Sequence, residues 1–575
     1  MRTHPFRFRA AALLILLAPA AGAMDDPHAA VFAEDLYPSA AQCGQCHPRV
    51  FAEWSSSNHA YASVSPMFHK FEQAVNDLTS GTIGNFCVRC HQQVGTQRGE
   101  PREQPLWERS KVAREGVTCI TCHRVSAEFG KVNGERHVEP APITAPIYNT
   151  GRGEKLSEVT ANPDAWGIKS PSNPDGPPIH SGVIEFEQID KSEFCVSCHQ
   201  VAVNIGIKLE VVWDQYRASP AADHGITCQD CHMGKVPGKA EGYAKGPIAI
   251  VNSKPVGDEN QRHSNHAFYG PGYPIAHPGV FPFNPRALEW SIQDWLKFDY
   301  RAGWGTEEFE RKLARGRIER PDFEPPWDDA RTRRRASTVV EQNQRGLDYK
   351  RRTRVQVMEN GSTIDGPFFD SKLKAGKTLE FHYRITNIDE GHNLPSGSLG
   401  AQPEIWFNVA LIDPDGNNVW ESGYVDSNGD MADLHSYDVL AGTLEHDDQL
   451  FNLQTKFLTT NVKGTDREMY LPVNFDVDQL PFLRPAAKPT TVINHPPFVR
   501  MEGRSIPPLG HRDAHYTVPG RLLKKPGTYK LQARMLRRAE PIYFMKFVGA
   551  TRDMEQAINE SMIDIHPYAV EFELR

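Results

Sequence analysis

The feature that most constrains this chain is a five-residue pattern, Cys-x-x-Cys-His, which occurs five times. The cysteines of every pair have the same spacing, and histidine follows every second cysteine. Together the five motifs use all 10 cysteines of the chain. In order, the motif residues are Cys43, Cys46 and His47; Cys87, Cys90 and His91; Cys119, Cys122 and His123; Cys195, Cys198 and His199; and Cys228, Cys231 and His232.

This spacing has a chemical reason. Two cysteines three positions apart lie on one face of a helical turn. Their sulfurs can form thioether bonds to the two vinyl groups at one edge of a porphyrin, and the next residue, histidine, can then bind the iron. Zinc sites and a disulfide framework are the alternatives, but zinc does not require histidine after every pair. The motifs therefore predict five covalently attached haem c groups, with proximal iron ligands His47, His91, His123, His199 and His232.

The first 23 residues have the pattern of a secretory signal peptide. Three arginines precede a short apolar stretch, Ala11 to Ala21, and Ala21-Gly22-Ala23 fits a cleavage site. The apolar stretch is too short to span a bilayer, although an uncleaved anchor is the alternative. The sequence thus predicts a soluble protein that is periplasmic or otherwise exported.

Charge and composition limit the classes of function. The chain of 575 residues has a formal net charge of -8 and a pI near 6.3. An acidic balance argues against a basic nucleic-acid-binding protein, so we expect no nucleic-acid partner. With 39% hydrophobic and 24% charged residues, the composition is typical of globular proteins and excludes wholesale disorder, collagen and coiled coil.

The motif region contains an internal repeat. The residues around the second motif, Phe86 to Gln92, parallel those around the fourth, Phe194 to Gln200. Gly116-Val117-Thr118 before the third motif likewise parallels Gly225-Ile226-Thr227 before the fifth. We interpret this as duplication of a two-haem unit, which favours close pairs of haems.

Changes in periodicity divide the chain. Residues 24–285 carry the motifs among Pro- and Gly-rich loops, and we expect a pentahaem, α-helical and loop-rich cytochrome domain there. Helical spacing of apolar residues predicts a helical connector over residues 286–349. Alternating patterns then predict a mostly β, sandwich-like domain over residues 350–575. The predicted strands lie at Arg354–Met358, Leu379–Ile385, Ile405–Leu411, Tyr529–Met535 and Ala569–Leu574, with a helix from about Arg552 to Met562.

The sixth iron ligand decides what each haem can do, because a second histidine saturates the iron and an open position admits a substrate. The chain has 23 histidines, enough for five six-coordinate irons. The favoured distal candidates are His59, His180 and His266. Weaker ones are His69, His137, His224, His263 and His392. For His392, in the loop Gly391 to Gly397, we favour an ordinary turn at a strand end over haem ligation.

Several of these segments resemble multihaem c-type cytochromes of the cytochrome c-554 and hydroxylamine oxidoreductase superfamily. The resemblance covers roughly residues 40–280. It implies electron transfer between periplasmic partners, or redox chemistry on small nitrogen or sulfur compounds. The segments are Cys43–His47 followed by Trp54 and His59; Gly116–Cys119; Trp213–Pro220 leading into Gly225–Met233; and His266–Phe268.

Two functions follow as hypotheses. The favoured one is an electron carrier between periplasmic or membrane-bound redox proteins, for which the C-terminal β-domain is a candidate docking module. The alternative is a redox enzyme with one five-coordinate haem, where Lys131, Arg136 and His137 near the third motif can supply protons and charge. No catalytic residue is assigned from the sequence.

Overall fold

The computed structural model describes residues 36–78, 80–127, 136–202, 208–396, 403–433, 435–454, 456–459, 469–470 and 499–575. The predicted signal peptide, residues 1–23, lies outside these ranges, as do Lys131 and Gly397. Within them, no helix has both the length and the apolar character needed to cross a bilayer.

Short helices and loops make up the motif region, in agreement with the expected helical, loop-rich class. Its apolar side chains form several small clusters rather than one core. Its α-helices are Ala40–Gly44, Pro48–Ser55, Asn58–Tyr61, Pro66–Leu78, Val88–His91, Gln93–Gln97, Cys119–His123, Glu154–Ala161, Pro163–Trp166, Glu193–His199, Val212–Arg217, Pro220–Asp223 and Cys228–His232. Two-residue and three-residue strands pair Ile147–Asn149 with Val183–Glu185, Val201–Ala202 with Lys208–Glu210, Ala244–Lys245 with Arg262–His263, and Ala249–Val251 with Lys254–Val256.

The connector contains three α-helices, Ile292–Leu296, Glu307–Ala314 and Ala330–Gly361, preceded by the 3-10 turn Pro285–Glu289. The last is 32 residues long, and we call it the long helix. Its buried positions include Ala336, Val339 and Val340, which pack on the aromatic cluster of Trp295 and Trp327. The connector therefore has its own small core.

The long helix overturns one predicted strand. Residues Arg354 to Met358 alternate in polarity, yet they lie inside this helix and not in a strand. The buried residues Lys350, Arg354 and Met358 are four apart, which is helical spacing. The alternation covers only five residues, whereas the helical spacing of buried residues extends along the whole helix. The helix therefore continues past residue 350 to Gly361.

Two antiparallel sheets form most of the C-terminal region, consistent with the expected sandwich-like class. The first, which we call the outer sheet, has the order His511–Val518, Leu379–Asn387, Ser362–Phe369. The second contains Asn418–Ser422, Glu404–Ile412, Gly527–Arg538 and Ile563–Leu574, with Phe451–Asn452 paired to Glu404–Ile412. The predicted strands other than Arg354–Met358 are confirmed, as is a helix at Arg552–Glu560.

Inward-facing residues of both sheets share one buried cluster. The ring centroids of Tyr383 and Phe407, one from each sheet, lie 5.0 Å apart. Outside this pair of sheets, Lys456–Thr459, Met469–Tyr470 and Val499–Glu502 form a smaller sheet, and the helices Tyr437–Leu440 and Ile542–Phe547 lie in the connections.

The motif region packs directly against the C-terminal region. Met67 and Phe71 of the helix Pro66–Leu78 contact the cluster of Ile542, Phe544 and Met545. Arg354 of the long helix donates from Nε to the Pro271 carbonyl at 3.0 Å and from Nη1 to the Ser561 carbonyl at 2.5 Å. The long helix thereby joins a loop of the motif region to the C-terminal region.

A buried ion pair anchors the start of the long helix and generates a prediction. Arg333 donates to both carboxylate oxygens of Glu310, at 2.7 and 2.6 Å, and both side chains are buried. The substitution Arg333→Met leaves the Glu310 carboxylate buried without its partner, and we expect a loss of ~3–5 kcal/mol in the free energy of unfolding. Denaturant unfolding followed by circular dichroism measures the loss.

Arg334→Met is the matched control, because Arg334 is exposed on the same helix. The double substitution Arg333→Met/Glu310→Leu should be more stable than Arg333→Met alone, since it removes the unpaired charge. Equal stability of Arg333→Met and the control would contradict the assigned role of the pair.

Candidate functional site

Each Cys-x-x-Cys-His motif folds into or beside a short helical turn. Four of these helices end at the motif histidine: Val88–His91, Cys119–His123, Glu193–His199 and Cys228–His232. In the first motif, the helix Ala40–Gly44 carries Cys43 and the next helix begins directly after His47. Ser39, Thr118 and Thr227 form capping boxes at three of the helix starts, so the sequence itself supplies the signal that begins the turn.

Four motif histidines are oriented by backbone carbonyl groups. In each, the ring Nδ1 lies within hydrogen-bond distance of a carbonyl oxygen. A histidine that donates its Nδ1–H in this way presents the Nε2 lone pair to a metal, and this is the usual second contact of metal-binding histidines. The contacts are His47 to Ile248 at 3.0 Å, His91 to Ala62 at 3.3 Å, His123 to Tyr148 at 3.0 Å and His232 to Tyr269 at 2.5 Å.

Three motif histidines face a second imidazole ring. A metal–imidazole bond is about 2 Å long, so an iron held between two imidazoles places their ring centroids roughly 6 Å apart. The centroids of His47 and His180 are 6.3 Å apart, those of His199 and His59 are 6.1 Å apart, and those of His232 and His392 are 6.2 Å apart. All three distances match the span of one iron.

His392 differs from the turn that the sequence favoured. Its loop leaves the outer sheet and reaches the fifth motif, where the His392 and His232 rings are nearly parallel, at 22°. Gln215 of the motif region accepts hydrogen bonds from the Asn393 backbone at 3.3 Å and the Ser396 hydroxyl at 2.7 Å. These contacts depend on the tertiary fold, and no local sequence pattern around His392 predicts them.

His266, a favoured distal candidate, lies in the neighbourhood of His123. Burial, together with the proximity of His123, lowers the pKa of His266 to about 4. Its Nδ1 lies 2.8 Å from the Ser264 carbonyl oxygen, so Nε2 is left for another partner.

The weaker candidates for distal iron ligands contact carbonyl or carboxylate groups, or are exposed to solvent. Nε2 of His69 contacts the Ser63 carbonyl oxygen at 2.8 Å, and Nε2 of His263 contacts the Glu53 carboxylate at 2.8 and 3.0 Å. His224 pairs through Nδ1 with Glu390 at 2.9 Å, and His137 is exposed. Among the described residues, none of these four rings forms a ring pair with a motif histidine like those of His59, His180 and His392.

The second motif has a different environment. The ring of His91 stacks on Phe68, with centroids 4.1 Å apart and planes 8° from parallel. Among the described residues, the ring contact of His91 is thus with a phenyl group and not with an imidazole.

Burial keeps four of these histidines neutral. Burial is the leading cause that lowers the pKa of His59 to about 3 and those of His91, His180 and His199 to about 4. A neutral imidazole is the form that binds a metal, so these rings are ready as ligands at pH 7.

Thiol contacts show which motifs are neighbours. Cys43 contacts Cys119, Cys195 contacts Cys228, and Cys90 contacts Cys198. The fourth and fifth motifs therefore form a close pair, as the internal repeat predicted. The third motif, in contrast, meets the first motif through its thiol and not the second, because the tertiary fold brings Ala40–Gly44 against Cys119–His123.

Buried cations around the motifs fit a group that carries carboxylates. The Nε–H groups of four arginines and Nη2 of Arg354 are buried without an acceptor among the described residues. Lys350, 5% exposed, lies beside Arg354 and Arg537, and burial lowers its pKa to about 7. Haem propionates would supply acceptors for such donors, so these residues fit haem. The four arginines are Arg89, Arg109, Arg114 and Arg124.

The close approach of the His59 backbone explains why glycine occupies position 116, before the third motif. Its φ is +68°, and a Cβ at this position would lie 2.4 Å from the His59 carbonyl oxygen. Only glycine fits such a close approach. Gly225, its counterpart in the repeat, also has a positive φ but has open space around it. The shared sequence pattern therefore makes a close contact with the backbone of His59 in only one copy.

Comparison with known proteins supports the interpretation of the first three motifs as haem c sites. Residues 42–124, which hold the first three motifs, match the family model for cytochrome c554 and c-prime. This segment is a cytochrome c-like domain. The match implies covalently bound haem c in this segment and suggests an electron carrier.

Other comparisons add no functional argument. No curated protein matches the chain. Among solved structures, it is similar to the Pseudomonas fluorescens alkylpurine DNA glycosylase AlkC bound to DNA containing an abasic site analog, at 10% identity over 53% of this chain and 57% of that chain. The TM-score is 0.13, so this likeness carries no inference about fold or function.

Glu115 is a residue that the motif analysis missed. It is fully buried and joins the first and third motifs, because it accepts hydrogen bonds from Ser39, from the Ala40 backbone at 2.9 Å and from Thr118 at 2.7 Å. Ser39 and Thr118 are the capping residues of the two motif helices. Glu115 is thus a positioning residue for both motifs.

The Glu115 carboxyl generates a pH prediction. Burial raises its pKa from 4.5 to about 7 in the folded chain. Because the folded state holds a proton that the unfolded state releases, the stability this group contributes is fully present below pH 4.5 and is lost as the pH rises through about 7. Wild type should therefore lose roughly 2 kcal/mol more than Glu115→Gln between pH 5 and pH 8. Thermal unfolding across this pH range measures the difference, and parallel pH profiles would contradict it.

Proposed function

We propose that this chain is an exported pentahaem c-type cytochrome that carries electrons between redox partners. The proposal rests on five standard motifs together with the three imidazole pairs, whose centroid separations match one iron. The cytochrome c-like segment at residues 42–124 supports the same chemistry. A bound haem supplies an iron that changes by one electron, and the ligands and burial set its potential.

We propose a ligand set in which the chain's own residues hold each iron. His47 with His180, His199 with His59, and His232 with His392 would hold the first, fourth and fifth haems. His123 with His266 would hold the third, since the two histidines are neighbours. The carbonyl contacts at Nδ1 fix the ring planes of four motif histidines, and the buried arginines would hold the propionates.

Thiol contacts between motifs support electron passage along the chain. The contacts link the first motif to the third, the second to the fourth, and the fourth to the fifth. Motifs this close hold their cofactors close, and the fold thereby provides two groups of neighbouring sites. We propose docking of periplasmic or membrane-bound redox proteins, with the C-terminal region as one docking surface.

The acidic charge of the chain favours a partner with a basic docking patch. The formal net charge is -8, and removal of a signal peptide with three arginines would make the exported chain more acidic. Electrostatic complementarity of this kind raises association rates and makes them sensitive to salt.

His392 provides the sharpest test of the proposal. In His392→Ala the fifth iron should lose its sixth ligand, so one haem should change from low to high spin while the mass still shows five attached haems. Electron paramagnetic resonance and intact-mass spectrometry of the exported protein measure both. His511→Ala, a change at an exposed histidine of the outer sheet, is the matched control.

The outcomes of this test separate two failures. A mass without five haems in the wild type would overturn the pentahaem proposal itself. Five haems with spectra unchanged by His392→Ala would overturn only the assigned ligand of the fifth iron.

The environment of His91 favours a second candidate, a haem-dependent oxidoreductase that acts on a small nitrogen or sulfur compound. His91 stacks on Phe68, while three other motif histidines face an imidazole. A haem held by His91 without a second histidine would keep an open coordination position.

Carbon monoxide distinguishes the two candidates. If the haem at His91 is open, the reduced wild type should bind one equivalent of carbon monoxide, seen as a partial shift of the Soret band. His392→Ala should then bind a second equivalent and so serves as the positive control. No spectral change in the wild type, with binding in His392→Ala, would leave the carrier as the function.

A further inference from the structure

The outer sheet carries a cluster of ligand-type side chains that the haem motifs do not use. We infer that Asp370, His382 and His515 form a binding site for a divalent transition-metal ion, with Zn²⁺ as the probe. One ligand atom from each residue lies within 4.8 Å of the other two. The three residues come from three adjacent chain segments of one sheet.

Strand register brings the two histidines together. His382 lies in the central strand Leu379–Asn387 and His515 in the edge strand His511–Val518, and the two are direct cross-strand partners. Their ring centroids are 5.1 Å apart, and the ring planes are 37° apart. Directly opposed residues of an antiparallel pair project from the same face, so both imidazoles leave the sheet on its outward side.

Asp370 is held beside them by the opposite edge of the sheet. It directly follows the strand Ser362–Phe369, and its backbone N–H donates to the Glu380 carbonyl at 2.8 Å. This bond continues the pairing to the central strand by one residue. Oδ2 of Asp370 then lies 2.8 Å from Nδ1 of His382. All three side chains are thus carried by hydrogen-bonded backbone, which limits their freedom before an ion binds.

The neighbouring side chains leave this cluster available for an ion. Asp513 projects from the same strand as His515, but its carboxylate is engaged by Arg384, at 2.9 and 3.0 Å. The Asp513 carboxylate thereby pairs with the positive charge of Arg384. Phe368 packs against the His382 ring, with centroids 5.1 Å apart, and gives the site one apolar wall.

The donor set selects the class of ion. Two imidazoles and one carboxylate suit Zn²⁺ and Cu²⁺, whereas Mg²⁺ and Ca²⁺ prefer all-oxygen sites. Ligands of a tetrahedral ion with bonds of about 2 Å lie roughly 3–4 Å apart, so small side-chain rotations would bring these atoms onto one ion. Three protein ligands on an open face leave a coordination position for water.

A surface hydrogen bond between Asp370 and His382 is the alternative, and it predicts no stoichiometric metal binding. The experiment is equilibrium dialysis of the full-length exported protein against Zn²⁺, with metal content measured by mass spectrometry, because this readout does not depend on haem absorbance. We expect wild type to bind one more equivalent of Zn²⁺ than His515→Ala. Asp370→Asn should keep the site but weaken it by about ten-fold or more.

His511→Ala is the matched control, since His511 is exposed on the same strand as His515 but lies outside the cluster. It should bind as much Zn²⁺ as wild type. Circular dichroism of His382→Ala and His515→Ala checks that both variants fold. Equal Zn²⁺ content in wild type and folded His515→Ala would overturn the site, as would an equal loss in His511→Ala.

Discussion

The hydrogen bond from a motif histidine to a distant backbone carbonyl is the contact on which the motif region depends. His47 reaches Ile248, 201 positions further along the chain, and His232 reaches Tyr269, 37 positions away. Each such contact fixes the plane of a ring and leaves Nε2 available. The loops that supply these carbonyls have little regular structure of their own. These hydrogen bonds, together with backbone bonds such as Ile250 to Cys46 and Asn265 to Met233, help to hold the loops against the motifs.

Buried charge is the second constraint. Arginines beside the motifs and Lys350 in the long helix lie away from water, and several of their N–H groups have no acceptor among the described residues. A buried N–H donor without an acceptor is costly, so such groups call for a further acceptor. Haem propionates would meet that need. Glu115 shows the opposite case, in which three donors surround one buried carboxyl and link two motif helices.

The C-terminal region is joined to the motif region and is not a free appendage. The long helix crosses the expected domain boundary, and Arg354 bonds to loops on both sides of it. The loop that carries His392 docks on Gln215, and its imidazole faces His232. A change in the position of this loop would therefore alter the surroundings of the fifth motif. This arrangement connects the C-terminal region directly to the fifth motif.

The sequence by itself determined the five motifs and four strands of the two C-terminal sheets. These features depend on residue types at fixed short spacing, so the sequence alone reveals them. Tertiary structure alone decided which imidazole faces which motif histidine. His59 and His180 were expected, but His392 was expected in a turn, and the strand predicted at Arg354 to Met358 is helix. Pairing across more than a hundred residues leaves no local pattern, because only the packing of the whole chain sets the distance between the rings.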